Sequence, residues 1–109
     1  MGKSKSPQTI FGRRLKEARL AAGIPQDRLG AMIGLDESCS SARMSRYESG
    51  IHAPLFGTVK QLGKILNLPT AYFYCEEDDL AELVKTYFRA SSEEKPQILV
   101  NANILKFVM

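Results

Sequence analysis

Few groups in this chain of 109 residues can carry out covalent or metal chemistry. There is one histidine, His52, and there are two cysteines, Cys39 and Cys75. A lone His without Ser and Asp partners at triad-like spacing does not make a nucleophilic site. The cysteines lack metal-like spacing, and one His cannot complete a multi-His set. No glycine-rich loop is present to cradle a phosphate. The chain is therefore not expected to be an enzyme, and no catalytic residue, metal or cofactor is expected. What it does offer is guanidinium, hydroxyl and methyl groups side by side in Ser41-Ala42-Arg43 and Ser45-Arg46. Arg can fork onto O6 and N7 of guanine, Ser can donate or accept, and an Ala methyl can meet a thymine methyl. In an isolated helix, solvated surface charges would account for both arginines equally well.

Charge distribution adds to this. Net charge is only +3, but residues 1–64 hold eleven Lys/Arg against five Asp/Glu, while residues 65–109 hold four against seven. A basic face attracts phosphate. Ordinary surface asymmetry would look the same. At 44% hydrophobic residues the chain can bury a core, and no run approaches a membrane span, so no membrane association is expected. Free cysteines suit a reducing, cytoplasmic setting better than a disulfide does.

The positioning elements read as helices. Residues 1–8 form a tail rich in Gly, Pro, Ser and Lys, in which Lys3 and Lys5 either reach phosphates or are simply solvated. A first helix is expected over Thr9 to Ala22. Its stripe is Phe11, Leu15, Ala18 and Ala22, with Arg13, Arg14, Lys16 and Glu17 off it, and Gly23 stops it. A second, over Gln26 to Ile33, buries Leu29 and Ile33. Pro25 opens it without a capping oxygen, and Gly30 in its middle costs about 1 kcal/mol relative to Ala. A fourth runs from Leu55 to Leu66 with Phe56, Val59, Leu62, Ile65 and Leu66 on one side. Pro69 announces a fifth over Thr70 to Tyr74, whose three aromatic residues close the core.

The third helix lies in Gln26–Gly50, and here the sequence resembles the helix-turn-helix of the lambda-repressor-like (Cro/repressor, Xre) family of transcription regulators. The matching residues are Gly12-Arg13-Arg14-Leu15-Lys16, Gly23-Ile24-Pro25-Gln26, Leu29, Ile33-Gly34, Arg46-Tyr47-Glu48, Gly50 and Pro54. They span Phe11 to Tyr74. The resemblance implies an all-α fold: a five-helix DNA-binding domain over residues 9–75, followed in this chain by two extra helices. It implies that Met44 and Tyr47 face the core, so that Ala42, Ser45, Arg46 and Ser49 point outward with Ser41 and Arg43 on the flanks. It further implies that Gln26, Ser40, Ser41, Ala42, Arg43, Ser45 and Arg46 bind DNA, and that Arg19 pairs with Glu48 in a structural ion pair. Gly30 is implied as the small residue that lets the third helix cross closely. Arg43 lies nearer the helix start and is the better base reader, with Arg46 on a base or a phosphate. One departure stands out: Gly34 to Tyr47 is longer than the family's usual spacing, the surplus falling in Asp36-Glu37-Ser38-Cys39-Ser40. Either the third helix starts a turn early, with Asp36 as its cap, or the turn bulges.

Residues 76–109 read as a helical extension. An acidic stretch, Glu76 to Asp79, favours a helix start. The sixth helix, Asp79 to Ala90, carries Leu80, Leu83, Val84, Tyr87 and Phe88 on one stripe. Ser91 and Glu94 have capping-box spacing. The seventh, Ser92 to Lys106, is apolar on more than one side, with Ile98, Leu99, Val100, Ala102, Ile104, Leu105, Phe107 and Val108. A helix so coated calls for a second chain, or for burial within its own. The expected partners are thus double-stranded DNA and a second copy held through these helices. The competing expectation is an antitoxin-like module that neutralises a protein partner through the same surface.

Overall fold

In the computed structural model the described residues are 9–103. The expected tail with Lys3 and Lys5, and the residues from Ile104 on, lie outside them. Helices α1 (Ile10–Ala22), α2 (Gln26–Met32), α3 (Ser40–Ser49) and α4 (Phe56–Leu66) are followed by a 3-10 segment, Thr70–Tyr74. Two further helices, α5 (Asp78–Arg89) and α6 (Glu94–Asn101), follow, and there is no strand among the described residues.

Local chemistry sets the helix ends. Thr9 Oγ1 accepts from the Gly12 N–H at 2.9 Å and opens α1. At the other end Ile24 N–H donates back to the Arg19 carbonyl and Gly23 N–H to Leu20, the paired bonds of a Schellman stop. Gly34 and Leu35 repeat this on Ala31 and Gly30 at the end of α2, while at the end of α4 Asn67 and Leu68 both donate to the Gly63 carbonyl. The capping box before α6 forms in both directions, Glu94 N–H to Ser91 Oγ at 3.0 Å and Ser91 N–H to Glu94 Oε1 at 2.9 Å.

The core gathers Phe11 and Leu15 from α1, Leu29 from α2, Met44 and Tyr47 from α3, Val59 and Leu62 from α4, and Phe73 from the 3-10 segment. Phe73 closes it, its ring centroid 5.5 Å from that of Phe11. Two glycines let backbones meet. A β-carbon on Gly12 would strike the Glu48 carbonyl, and one on Gly30 would strike the Ser40 hydroxyl. The mid-helix cost of Gly30 is thereby offset by the close α2–α3 crossing.

Several expectations need correcting. Thr70–Tyr74 is a single stretch of 3-10 helix, because five residues between Pro69 and Cys75 leave no room for a full α-helix. Ala22, Phe56 and Tyr74 are exposed rather than buried, Phe56 at 64%. Phe56 instead lies under the Lys60 ammonium, 5.9 Å from its ring centroid. Arg14, placed off the apolar stripe, is 3% exposed. On α5 only Ala81 is fully buried. Leu80, Leu83 and Phe88 of the predicted stripe face outward. Helix α6 ends at Asn101, followed by Asn103 at φ 66°, short of the expected Lys106.

Candidate nucleic-acid interface

Helix α3 separates its residues sharply. Met44, Tyr47 and Glu48 are buried, while Ser41, Ala42, Arg43, Ser45 and Arg46 are all exposed. The exposed five share one side because Met44 and Tyr47 are pulled into the core at helical spacing. Arg43 and Arg46 sit one turn apart on that side. Next to it, Arg43 and Tyr47 line a cleft of about 360 Å³ with His52, Pro54, Leu55 and Thr58. The exposed cations, hydroxyls and methyl form a convex helical surface of the kind that enters a major groove.

The lengthened stretch resolves into a turn. Asp36 accepts from the Ser38 N–H at 3.0 Å and from the Ser38 hydroxyl, closing a loop on itself. The Ser38 hydroxyl, then the Ser38 N–H, holds the Asp36 carboxyl below the usual carboxylate range. Cys39, not Asp36, is the N-cap residue of α3, and it offers no side-chain cap. The surplus residues bulge ahead of the helix, so α3 does not start a turn early.

Two expected DNA-binding residues are engaged inside the fold. Ser40 is 1% exposed, and its hydroxyl donates to the Asp27 carbonyl of α2 at 2.6 Å. It therefore stands between helices and not on the exposed side. The misplacement has a physical source: Ser40 is the first residue of α3, and the close approach at Gly30 draws that end inward. Gln26 is half-buried and donates from Nε2 to Glu48 Oε1 at 3.0 Å. Arg19 and Glu48 meet directly, Nε to Oε2 at 2.5 Å and Nη2 to Oε1 at 3.2 Å. Arg19 also donates to the Ile24 carbonyl, which joins α1, the α1–α2 turn and α3 through one guanidinium.

Sequence reasoning missed Arg14. Its Nε donates to the Cys75 carbonyl at 2.9 Å, Nη1 to Glu17 at 3.1 Å, and Nη2 reaches Glu76 O and Asp78. The neighbouring Arg13 also bonds Asp78 at 3.1 Å. The only available signal was the pairing of a basic Arg13-Arg14 with the acidic run Glu76–Asp79. Among the described residues no group of His, Cys, Asp and Glu could hold a metal ion. No helix of the described residues is long and apolar enough to cross a membrane.

A family profile described as a helix-turn-helix domain matches residues 10–72, from α1 into the 3-10 segment. Among solved structures, the crystal structure of transcriptional regulator BswR is similar at 42% identity and a TM-score of 0.81. The match covers 84% of this chain and 91% of that one, so the likeness continues past the profile into the C-terminal helices. No curated protein matches significantly.

Proposed function

The chain belongs to the helix-turn-helix domain family, and from that premise we propose that it is a sequence-specific DNA-binding transcription regulator. It acts in the cytoplasm as a homodimer on a two-fold-related operator, and it represses by occluding a promoter. The observation that carries this reading is the exposed side of α3, where Ser41, Ala42, Arg43, Ser45 and Arg46 stand together above a buried Met44 and Tyr47. Arg43 reads base edges, and Arg46 reads a base or holds a phosphate. Ser40 and Gln26 position the helix: one spaces it from α2, the other is tied to the Arg19–Glu48 pair. Similarity to a transcriptional regulator over most of both chains supports the assignment.

The dimer is proposed on the outer surface of α5 and α6. Leu80, Leu83, Phe88 and Val100 are each more than 40% exposed. An apolar groove of about 430 Å³ runs between the 3-10 segment and these helices, lined by Leu83, Val84, Tyr87, Phe88, Ile98 and Leu99 among others. Such a surface is larger than scattered apolar residues explain and suits a protein interface. The same groove favours one second reading, an interaction module that neutralises another protein.

Selection of binding fragments from genomic DNA with the purified protein tests the proposal. An enriched inverted repeat with a fixed half-site separation is expected. Enrichment of no sequence, together with a monomer in solution, moves the assignment to the interaction module.

A further inference from the structure

Helix α5 is poorly anchored by its core. Ala81 is its one fully buried residue, and Val84 packs only partly against the interior. Between α5 and the helix-turn-helix unit runs a polar cleft of about 450 Å³, lined by Arg14, Glu17, Tyr72, Asp78, Glu82 and Lys85 among others. A helix held by so little apolar contact is free to rock, unless something fixes its two ends.

Each end is fixed by an arginine. At the N-terminal end the buried Arg14 of α1 donates to Cys75 O at 2.9 Å and Glu76 O at 3.3 Å, and pairs with Asp78 at 3.0 Å. Arg13 adds a second bond to the same Asp78 oxygen. At the C-terminal end Arg89 of α5 reaches back to α4, with Nε on Asn67 O at 2.9 Å and Nη2 on Leu66 O at 3.0 Å. Those two carbonyls close α4, so Arg89 satisfies acceptors that the helix end leaves open. Both clamps use the planar guanidinium fork, which fixes direction as well as distance.

We propose that these two clamps make Asp78 and Arg89 positioning residues for operator spacing. The clamps tie α5 to α1 and α4, and Arg19 and Glu48 tie α1 to the recognition helix α3. The angle between the dimer-forming surface and the DNA-reading surface is thereby set within each chain. This inference rests on the two-fold reading above. In such a dimer a rigid connection fixes the separation of the two recognition helices. An operator with the wrong spacing must then bend or twist to fit, and that deformation weakens binding by about tenfold or more. A loose connection absorbs the error instead.

The test uses the full chain and duplexes carrying two copies of the selected half-site, their centres stepped one base pair at a time around about 10 base pairs. Asp78→Asn and Arg89→Lys are compared with wild type. Both side chains are exposed, and each substitution keeps side-chain size, so folding is retained and is checked by melting. Wild type is expected to prefer one spacing by about tenfold. Each single variant and the double variant are expected to remain dimeric by sedimentation and to bind a duplex with a single half-site as wild type does, and the double variant, with both clamps weakened, is expected to accept neighbouring spacings within about threefold. Wild-type spacing discrimination in a folded, dimeric double variant overturns the inference and leaves the two-fold reading standing. A wild-type protein that is monomeric on and off DNA overturns the two-fold reading, and this inference with it.

Discussion

Arg19 and Glu48 face each other across 29 residues of sequence with Nε and Oε2 2.5 Å apart, and they are 8% and 4% exposed. The pair joins the third turn of α1 to the end of the recognition helix. Gln26 donates to Glu48, and Arg19 donates to the Ile24 carbonyl as well. A pair so enclosed need not stabilise the fold relative to apolar residues of equal volume, but losing one member leaves a buried charge without its partner.

Glu48→Ala is therefore expected to destabilise the fold by about 3–5 kcal/mol. Glu37→Ala, in the exposed turn, is expected to change stability by no more than about 0.5 kcal/mol. Thermal melting of both variants checks this. Equal, small shifts would remove the pair from the account of how α3 is held.

Gly30 and Ser40 make a second, steric prediction. Ala at position 30 improves helix propensity by about 1 kcal/mol but overpacks the crossing, at about 1–3 kcal/mol. The obstacle is the Ser40 hydroxyl. Gly30→Ala should thus cost less in a Ser40→Ala background than in wild type. A double-mutant cycle with strictly additive costs would show that the two residues do not compete for space.

Arg43→Ala and Arg46→Ala are each expected to weaken binding to the selected site by about 1–3 kcal/mol if they read bases. Loss of sequence preference at one position marks a base reader. A uniform loss with a shallower salt dependence marks a phosphate contact. Lys64→Ala, at an exposed position in the last turn of α4, is the control. Titration of labelled duplexes at two salt concentrations separates the cases, and unchanged affinity in both Arg variants retires these assignments.

Asp78 makes the joint between α1 and α5 sensitive to acid. The Arg13 hydrogen bond foremost, with Arg14 behind it, holds its carboxyl below the ordinary aspartate value. A depressed folded-state value means stability present above the unfolded value and lost as pH falls through the folded one. Melting temperatures should decline across that acidic interval and be flat through neutrality as far as this group is concerned. The decline should be shallower in Asp78→Asn. The effect is small, because the carboxylate is solvent-exposed and screened. Identical slopes in the two proteins would show that the joint does not depend on this charge.

Leu83→Glu tests the proposed dimer surface. Leu83 is 54% exposed in the single chain, so the substitution should leave the fold intact. It should shift the sedimenting species from dimer to monomer and abolish preference for paired half-sites over single ones. A dimer that survives the change would place the interface elsewhere.

Much of this molecule could be read from residue order alone. Helical periodicity and stop signals located α1, α2 and α4 to within a residue or two, because Gly23 and Gly34 and the prolines act through local backbone geometry. The Ser91–Glu94 capping box is equally local, and it forms as spaced. The inner and outer sides of α3 came from the family resemblance, which set Met44 and Tyr47 in the core, with helical spacing then placing their neighbours. Ser40, Arg14 and Phe56 could not be placed that way. Ser40 is buried because Gly30, on another helix, leaves room for it. Arg14 is buried because the Cys75 and Glu76 carbonyls, more than sixty residues along the chain, satisfy its guanidinium. Phe56, at the first residue of α4, is exposed although Val59 and Leu62 of the same stripe are buried, and its ring lies under Lys60 instead. Periodicity says which residues share a side of a helix. Whether that side meets another element depends on contacts between segments distant in sequence, and a repeating pattern within one segment carries no information about them.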